Sequence, residues 1–241
     1  MKRVLSIVAI AVVFIAFPAS AQKPATEKFK HAGVRSEDSA RILSLLAEPN
    51  SGFPKELINK AQMVAVIPWA KREDAFVRRF LQGYGVISVR LQNGWSLPAF
   101  YQFASAPRKF TGASQENLAL ILLFMNQDAL LWLDKDKSQF KRERAAVLGP
   151  VGTISEEQSK DLTGKGILAY TYYNGKLNGN SIDPDFFKDF ILNQDNNINI
   201  PTYGAKAREV LAGKKIDPAL LPAGISAFQE ALERHWPRSF R

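Results

Sequence analysis

Apolar and polar positions alternate with different periods along the 241-residue chain, and each period predicts an element. After Ser36, which reads as an N-cap, Glu37, Arg41, Ser44 and Glu48 fall on one helical face and Ile42, Leu43, Leu46 and Ala47 on another. Pro49 ends this amphipathic helix, and Pro54 opens a second, short one. "MVAVIP" at 63–68 reads as a β-rich run stopped by Pro68. From Gly85, Ile87, Val89 and Leu91 alternate with Ser88 and Arg90 until Asn93-Gly94, a strong hairpin signal, because both central turn residues need positive φ. Trp95, Leu97 and Ala99 continue on the far side, with Pro98 marking an edge or bulge.

Further along, 117–136 fits either one long helix or a buried strand followed by a short helix capped at Asn126. "AAVLGPVGTIS" reads as a strand ending in a glycine-proline turn, and 166–182 repeats the hairpin device around Asn174-Gly175. Asp183-Pro184 caps an expected helix through "DPDFFKDFILNQ", and two more helical pieces fall near 204–212 and 222–235. No repeat or interdomain linker is visible, so one α+β domain is the economical reading.

The N-terminus has a different character. Lys2 and Arg3 precede an apolar run from Val4 to Phe17, then Pro18 and Ala-Ser-Ala at 19–21. This is the pattern of a secretory signal peptide cut after Ala21, and the run is short of the roughly 20 apolar residues of a membrane span. Residues 22–35 are polar without a clear period and read as a mobile lead-in.

Charge narrows the function. The formal net charge is +9; cleavage would remove Lys2 and Arg3 and no acid, leaving +7. A basic exported chain is expected to meet an anionic membrane or envelope polymer rather than nucleic acid. Its basic residues cluster at Lys71-Arg72, Arg78-Arg79 and Arg108-Lys109, and between Lys135 and Arg144, with Trp69, Phe76, Phe80 and Tyr84 interleaved. Rings among cations suit the headgroup layer of a bilayer.

Catalytic signals are weak. The chain has no cysteine and only two histidines, His31 and His235, neither with another metal-type ligand at useful spacing. Gly83-x-Gly85 precedes a strand, whereas a nucleotide-binding glycine loop comes after one and opens a helix, so the pair reads as part of a hairpin rather than a phosphate cradle. The carboxylate pairs Glu156/Glu157, Asp134/Asp136 and Asp183/Asp185 could serve a glycan hydrolase if held about 5–9 Å apart. All three sit where acids cap turns and helices. A non-enzymatic protein without cofactor is expected.

The order of short motifs resembles the SYLF domain, a lipid-binding family with some actin-binding eukaryotic members. The matches are "ARILSLL" at 40–46, "FPKELINKAQMVAVIP" at 53–68, "GYGVISVR" at 83–90 and "WSLPAF" at 95–100. They continue with "LFMNQDALLWL", "GPVG" at 149–152, "KGILAYTYYNGKLNGNSI" at 165–182, "TYG" at 202–204 and "AREVLAG" at 207–213. The resemblance covers 36–213 and leaves 214–241 as a C-terminal helical extension.

It favours strand then helix at 117–136. It also implies an antiparallel, partly closed β core, barrel- or sandwich-like, flanked by N- and C-terminal helices. Functionally it implies binding of acidic phospholipid through a basic surface. Arg90 stands at the family's arginine position, while "DAFVRRFLQGYG" replaces its glycine-rich entry with bulky and basic residues.

The expected headgroup ligands are therefore Arg78, Arg79, Arg90, Arg108 and Lys109, with Phe80 and Tyr84 at the membrane interface. An envelope glycan or a protein partner is the alternative target.

Overall fold

The computed structural model describes residues 24–75, 78–105, 117–126, 137–140, 146–179 and 189–237, together with Asp128, Leu131 and Leu133. Helix α1 spans Pro24–Ala47, so the expected lead-in at 22–35 is corrected from residue 24 onward. Its buried stripe is Ala32, Ser36, Ser39, Leu43 and Leu46, a helical spacing that the serines hide in a hydrophobicity pattern. Small residues let α1 lie close to the rest of the chain: a Cβ on Gly33 would run into the carbonyl of Ala223.

Ser36 is a cap, but of another helix. Its hydroxyl donates to the Ile225 carbonyl at 2.7 Å and accepts from the Phe228 amide at 3.1 Å. That amide lies in the first turn of the C-terminal helix (Ala227–His235, α6 below), where backbone donors lack intrahelical partners.

After α2 (Lys55–Lys60), the chain builds a curled sheet: β1 (Met63–Ala75), β2 (Arg78–Leu91), β3 (Gly94–Trp95), β4 (Ala99–Ser105), β5 (Asn117–Phe124), β6 (Lys137–Phe140) and β7 (Val147–Leu148). Helix α3 (Glu156–Gly164) precedes β8 (Ile167–Tyr173), β9 (Lys176–Asn178) and β10 (Phe190–Gln194). The chain ends in α4 (Asn196–Tyr203), α5 (Ala207–Leu211), a 3-10 turn at Pro218–Leu220 and α6 (Ala227–His235). The strand order is β6-β10-β4-β2-β1-β5-β8-β7, with β3 beside β2 and β9 beside β8. Every pairing is antiparallel except β7 with β8.

The sheet rolls up on itself. Phe140 of β6 and Phe124 of β5 are separated by β10, β4, β2 and β1 in the sheet, yet their ring centroids are 6.1 Å apart. Phe140 stacks on Phe190 at 4.4 Å, and Phe190 on Phe103 at 5.7 Å. These four fully buried rings fill the inside of the curl. The fold is thus α+β with a partly closed, mostly antiparallel core and helices at both ends, as expected.

Three local expectations change. Pro68 does not stop β1: the register with β2 shifts between Val66 and Trp69, and with β5 between Ile67 and Ala70. A bulge there lets the strand continue past a residue that has no amide to donate. At the first hairpin Leu91 pairs with Gly94, so Gln92-Asn93 form the turn, one residue earlier than expected, and Gly94 (φ 125°) opens the return strand. Finally, Phe190–Gln194 is a strand rather than the end of a helix, its residues alternating buried and half-buried between β4 and β6. Asp183, Pro184 and Asp185 lie outside the described residues.

The return strand is interrupted at 96–98, and side chains supply the missing partners. The Ser96 hydroxyl accepts from the Val89 amide at 3.0 Å, and the Tyr203 hydroxyl donates to the Pro98 carbonyl. Asn199 of α4 accepts from the Phe100 amide at 2.8 Å and donates to its carbonyl at 2.9 Å. The C-terminal extension joins the same core: Phe228, Leu232 and Trp236 are buried, and Gln229 donates to the Trp95 carbonyl at 2.8 Å.

Candidate functional surface

The glycine pair that raised the question of a phosphate loop has a packing role. A Cβ on Gly83 would sit 2.8 Å from the Trp69 carbonyl oxygen, and one on Gly85 would sit 2.8 Å from Ile67 Cα. Both glycines receive the β1 bulge. Only residues without a side chain fit there, because the opposing atoms are backbone.

The bulge also sets the register of the outer half of this strand pair. Beyond it Trp69 pairs with Tyr84, Lys71 with Gln82, Glu73 with Phe80, Asp74 with Arg79 and Ala75 with Arg78. β5 flanks β1 only as far as Lys71, and β4 flanks β2 only from Leu81. Among the described residues, Arg72–Ala75 and Arg78–Phe80 therefore continue past their sheet neighbours as a two-stranded ribbon. Arg72, Arg78, Arg79 and Phe80 all hold register positions in it.

At the root of the ribbon stand two exposed rings, Trp69 at 57% and Tyr84 at 52%. Helix α1 holds both. The Trp69 indole donates to Asp38 Oδ2 at 2.8 Å, and Asp38 Oδ1 pairs with Arg41 at 2.9 Å. The Arg35 guanidinium lies 4.7 Å from the centre of the Tyr84 ring while it pairs with Asp195 at 2.9 Å. Lys71 and Gln82 are exposed next to them. Trp69 was readable only as one aromatic among several; its pairing with Tyr84 comes from the bulge.

Arg90 does not join this face. Its Nε donates to the Ala61 carbonyl at 3.1 Å and a terminal nitrogen to the Ile58 carbonyl at 2.9 Å, while the guanidinium stacks 4.1 Å from the Trp95 ring centre. It bonds two carbonyls at the C-terminal end of α2, where helix carbonyls run short of intrahelical partners; the Ile58 oxygen also accepts from the Ala61 amide. As a headgroup ligand Arg90 is thus corrected to a structural clamp. Replacing it with alanine is expected to lower stability by about 2–3 kcal/mol in chemical denaturation, because two charge-assisted bonds and a ring contact go together. Arg108 and Lys109 lie outside the described residues.

Among the described residues, the alternatives from catalysis gain no geometry. Glu156 and Glu157 are exposed in the first turn of α3, below a capping box between Ser155 and Gln158, and Glu156 pairs with Lys160 at 3.0 Å. Asp134, Asp136, Asp183 and Asp185 lie outside the described residues. His31 is exposed on α1. His235 sits 3.4 Å from the Ser44 hydroxyl, its pKa held below the ordinary value by burial first and by the charges of Arg234 and Lys55 after it.

No family model matches the chain, and no curated protein matches it. Among the described residues, no helix is long and apolar enough to cross a membrane.

Proposed function

We propose that this is an exported, non-enzymatic protein of SYLF type that docks on acidic phospholipid headgroups at an envelope membrane. The observation that carries the reading is the pairing of two exposed rings, Trp69 and Tyr84, at the root of a ribbon bearing Arg72, Arg78 and Arg79. Rings of this kind sit at headgroup depth, and each Lys or Arg near an anionic surface contributes about 1 kcal/mol. With Lys71, four cations share one end of the hairpin with two acids, Glu73 and Asp74, which leaves it at a formal +2. The motif order from 36 to 213 and the net charge of +9 support the same reading.

The filled interior of the curl favours docking from outside over swallowing a lipid chain within the barrel. On this account residues 1–21 are the export signal and act before docking.

Charge reversal tests the ribbon. The double variant Arg78→Glu/Arg79→Glu is expected to weaken binding to anionic vesicles by about a hundredfold or more, since two attractions of about 1 kcal/mol each become repulsions. Trp69→Ala/Tyr84→Ala is expected to weaken binding equally at low and moderate salt, because the lost contribution is not ionic. Unchanged vesicle binding in both variants would remove the ribbon and its rings from the site.

A further inference from the structure

Beside the ring pair, a groove of 560 Å³ runs between α1, the β1 bulge and the β8–β9 turn. That volume falls in the range of about 300–1,000 Å³ typical of small-molecule sites. Aliphatic surface comes from Ile42, Leu45 and Leu118, and aromatic surface from Trp69, Tyr172 and Tyr173. Among the described residues, the charged groups lining it are one carboxylate, Asp38, and one guanidinium, Arg41. They pair at 2.9 Å, with the Arg41 side chain 67% exposed and that of Asp38 15% exposed. Its described lining is therefore mixed: aliphatic and ring surface around one ion pair, with Asn174 as a further polar group and charges that cancel.

We propose that this groove binds a single molecule of zwitterionic phospholipid, with a phosphoethanolamine-type headgroup. The ammonium lies toward Asp38 and the rings, the phosphate on Arg41, and an acyl chain along Ile42, Leu45 and Leu118. Each part rests on complementarity. A cation gains from a carboxylate and from ring faces together. A phosphate gains from the guanidinium fork, and Arg41 spends one donor on Asp38, with no other partner among the described residues.

Opening the Asp38–Arg41 contact costs little, since one partner is largely in water. An anionic glycerol headgroup would set its phosphate beside Asp38 with no ammonium to answer that carboxylate. The two lipid contacts then differ in kind: the ribbon meets an anionic surface, and the groove holds one neutral molecule from it.

This inference rests on the membrane reading for the source of the lipid, but its test uses no membrane. Dihexanoyl phosphatidylethanolamine, kept below its micelle-forming concentration, is titrated into the 15N-labelled protein while the Trp69 indole N–H resonance is monitored. A saturable one-to-one shift is expected, weakened at least tenfold in Asp38→Asn and in Arg41→Gln. Dihexanoyl phosphatidylglycerol should bind at least tenfold more weakly. Asp38→Asn keeps an acceptor for the Trp69 indole, so its fold should survive, which thermal melting checks.

The absence of a saturable shift, equal binding of the glycerol headgroup, or full affinity in Asp38→Asn would overturn the proposal. Pelleting with anionic vesicles is measured on the same samples. Pelleting without monomer binding overturns the groove alone, whereas monomer binding without pelleting overturns surface docking and leaves the groove.

Discussion

Gly85→Ala is expected to lower the unfolding free energy by about 2–4 kcal/mol, read as a fall in denaturant midpoint at unchanged slope. The added methyl would run into the Val66 carbonyl and lie 2.8 Å from Ile67 Cα and 2.9 Å from Ile67 Cγ1. Backbone on the opposing strand cannot rotate away as a side chain would. The strands must separate, and the Val66–Trp69 bulge, which sets the Trp69–Tyr84 pairing, shifts with them. The same substitution at Gly164, which has no atom within 4 Å of an added Cβ, should be far milder and serves as the control. A Gly85→Ala protein as stable as the parent would mean that the bulge does not depend on that glycine.

The second large effect concerns Asp195→Ala, expected to cost about 3 kcal/mol. Asp195 is almost fully buried, its side chain 5% exposed, and pairs with Arg35, whose side chain is 18% exposed. Removing one partner leaves the other poorly solvated, which for buried pairs costs about 3–5 kcal/mol. The residual access of Arg35 to water places the effect at the low end. The loss should also loosen α1 against the sheet, because Arg35 is the link between α4, α1 and the Tyr84 ring. Removing both charges together, as Arg35→Met/Asp195→Leu, should cost less than Asp195→Ala alone. Equal stability of the single variant and the parent would contradict the assignment of this pair as a clamp.

How far the sequence carried the fold depends on whether each signal was local. Asn174-Gly175 was readable because the turn is complete within its own residues: Asn174 at φ 48° and Gly175 at φ 74° join Tyr173 to Lys176. Asn93-Gly94 carried the same letters, yet its register is set from elsewhere, with Arg90 opposite Trp95 and stacked on it. Pro68 looked like a stop because its remedy, the Gly83-x-Gly85 seat, lies on the neighbouring strand. Ser36 and Ser39 hid the early turns of α1, since a serine that bonds a distant carbonyl reads as polar although it is buried.

The candidate surface was half legible. Tyr84 is exposed where an interfacial ring was expected, and Arg78 and Arg79 occupy the ribbon. Arg90 was misplaced because the carbonyls it serves, at Ile58 and Ala61, belong to a helix about thirty residues earlier in the chain. Nothing local distinguishes an arginine that clamps backbone from one that awaits a phosphate. The groove was invisible for a similar reason: Asp38, Trp69 and Tyr172 come from three elements that meet only after the sheet has curled.

The most direct test of the central claim is co-sedimentation of residues 22–241 with phosphatidylglycerol-containing and with purely phosphatidylcholine vesicles, at low and at moderate salt. The account predicts pelleting that needs the anionic lipid and weakens as ionic strength rises, with a residual part carried by Trp69 and Tyr84. Pelleting on neither lipid, or pelleting indifferent to lipid charge and to salt, would contradict it and turn the basic ribbon toward a glycan or protein partner.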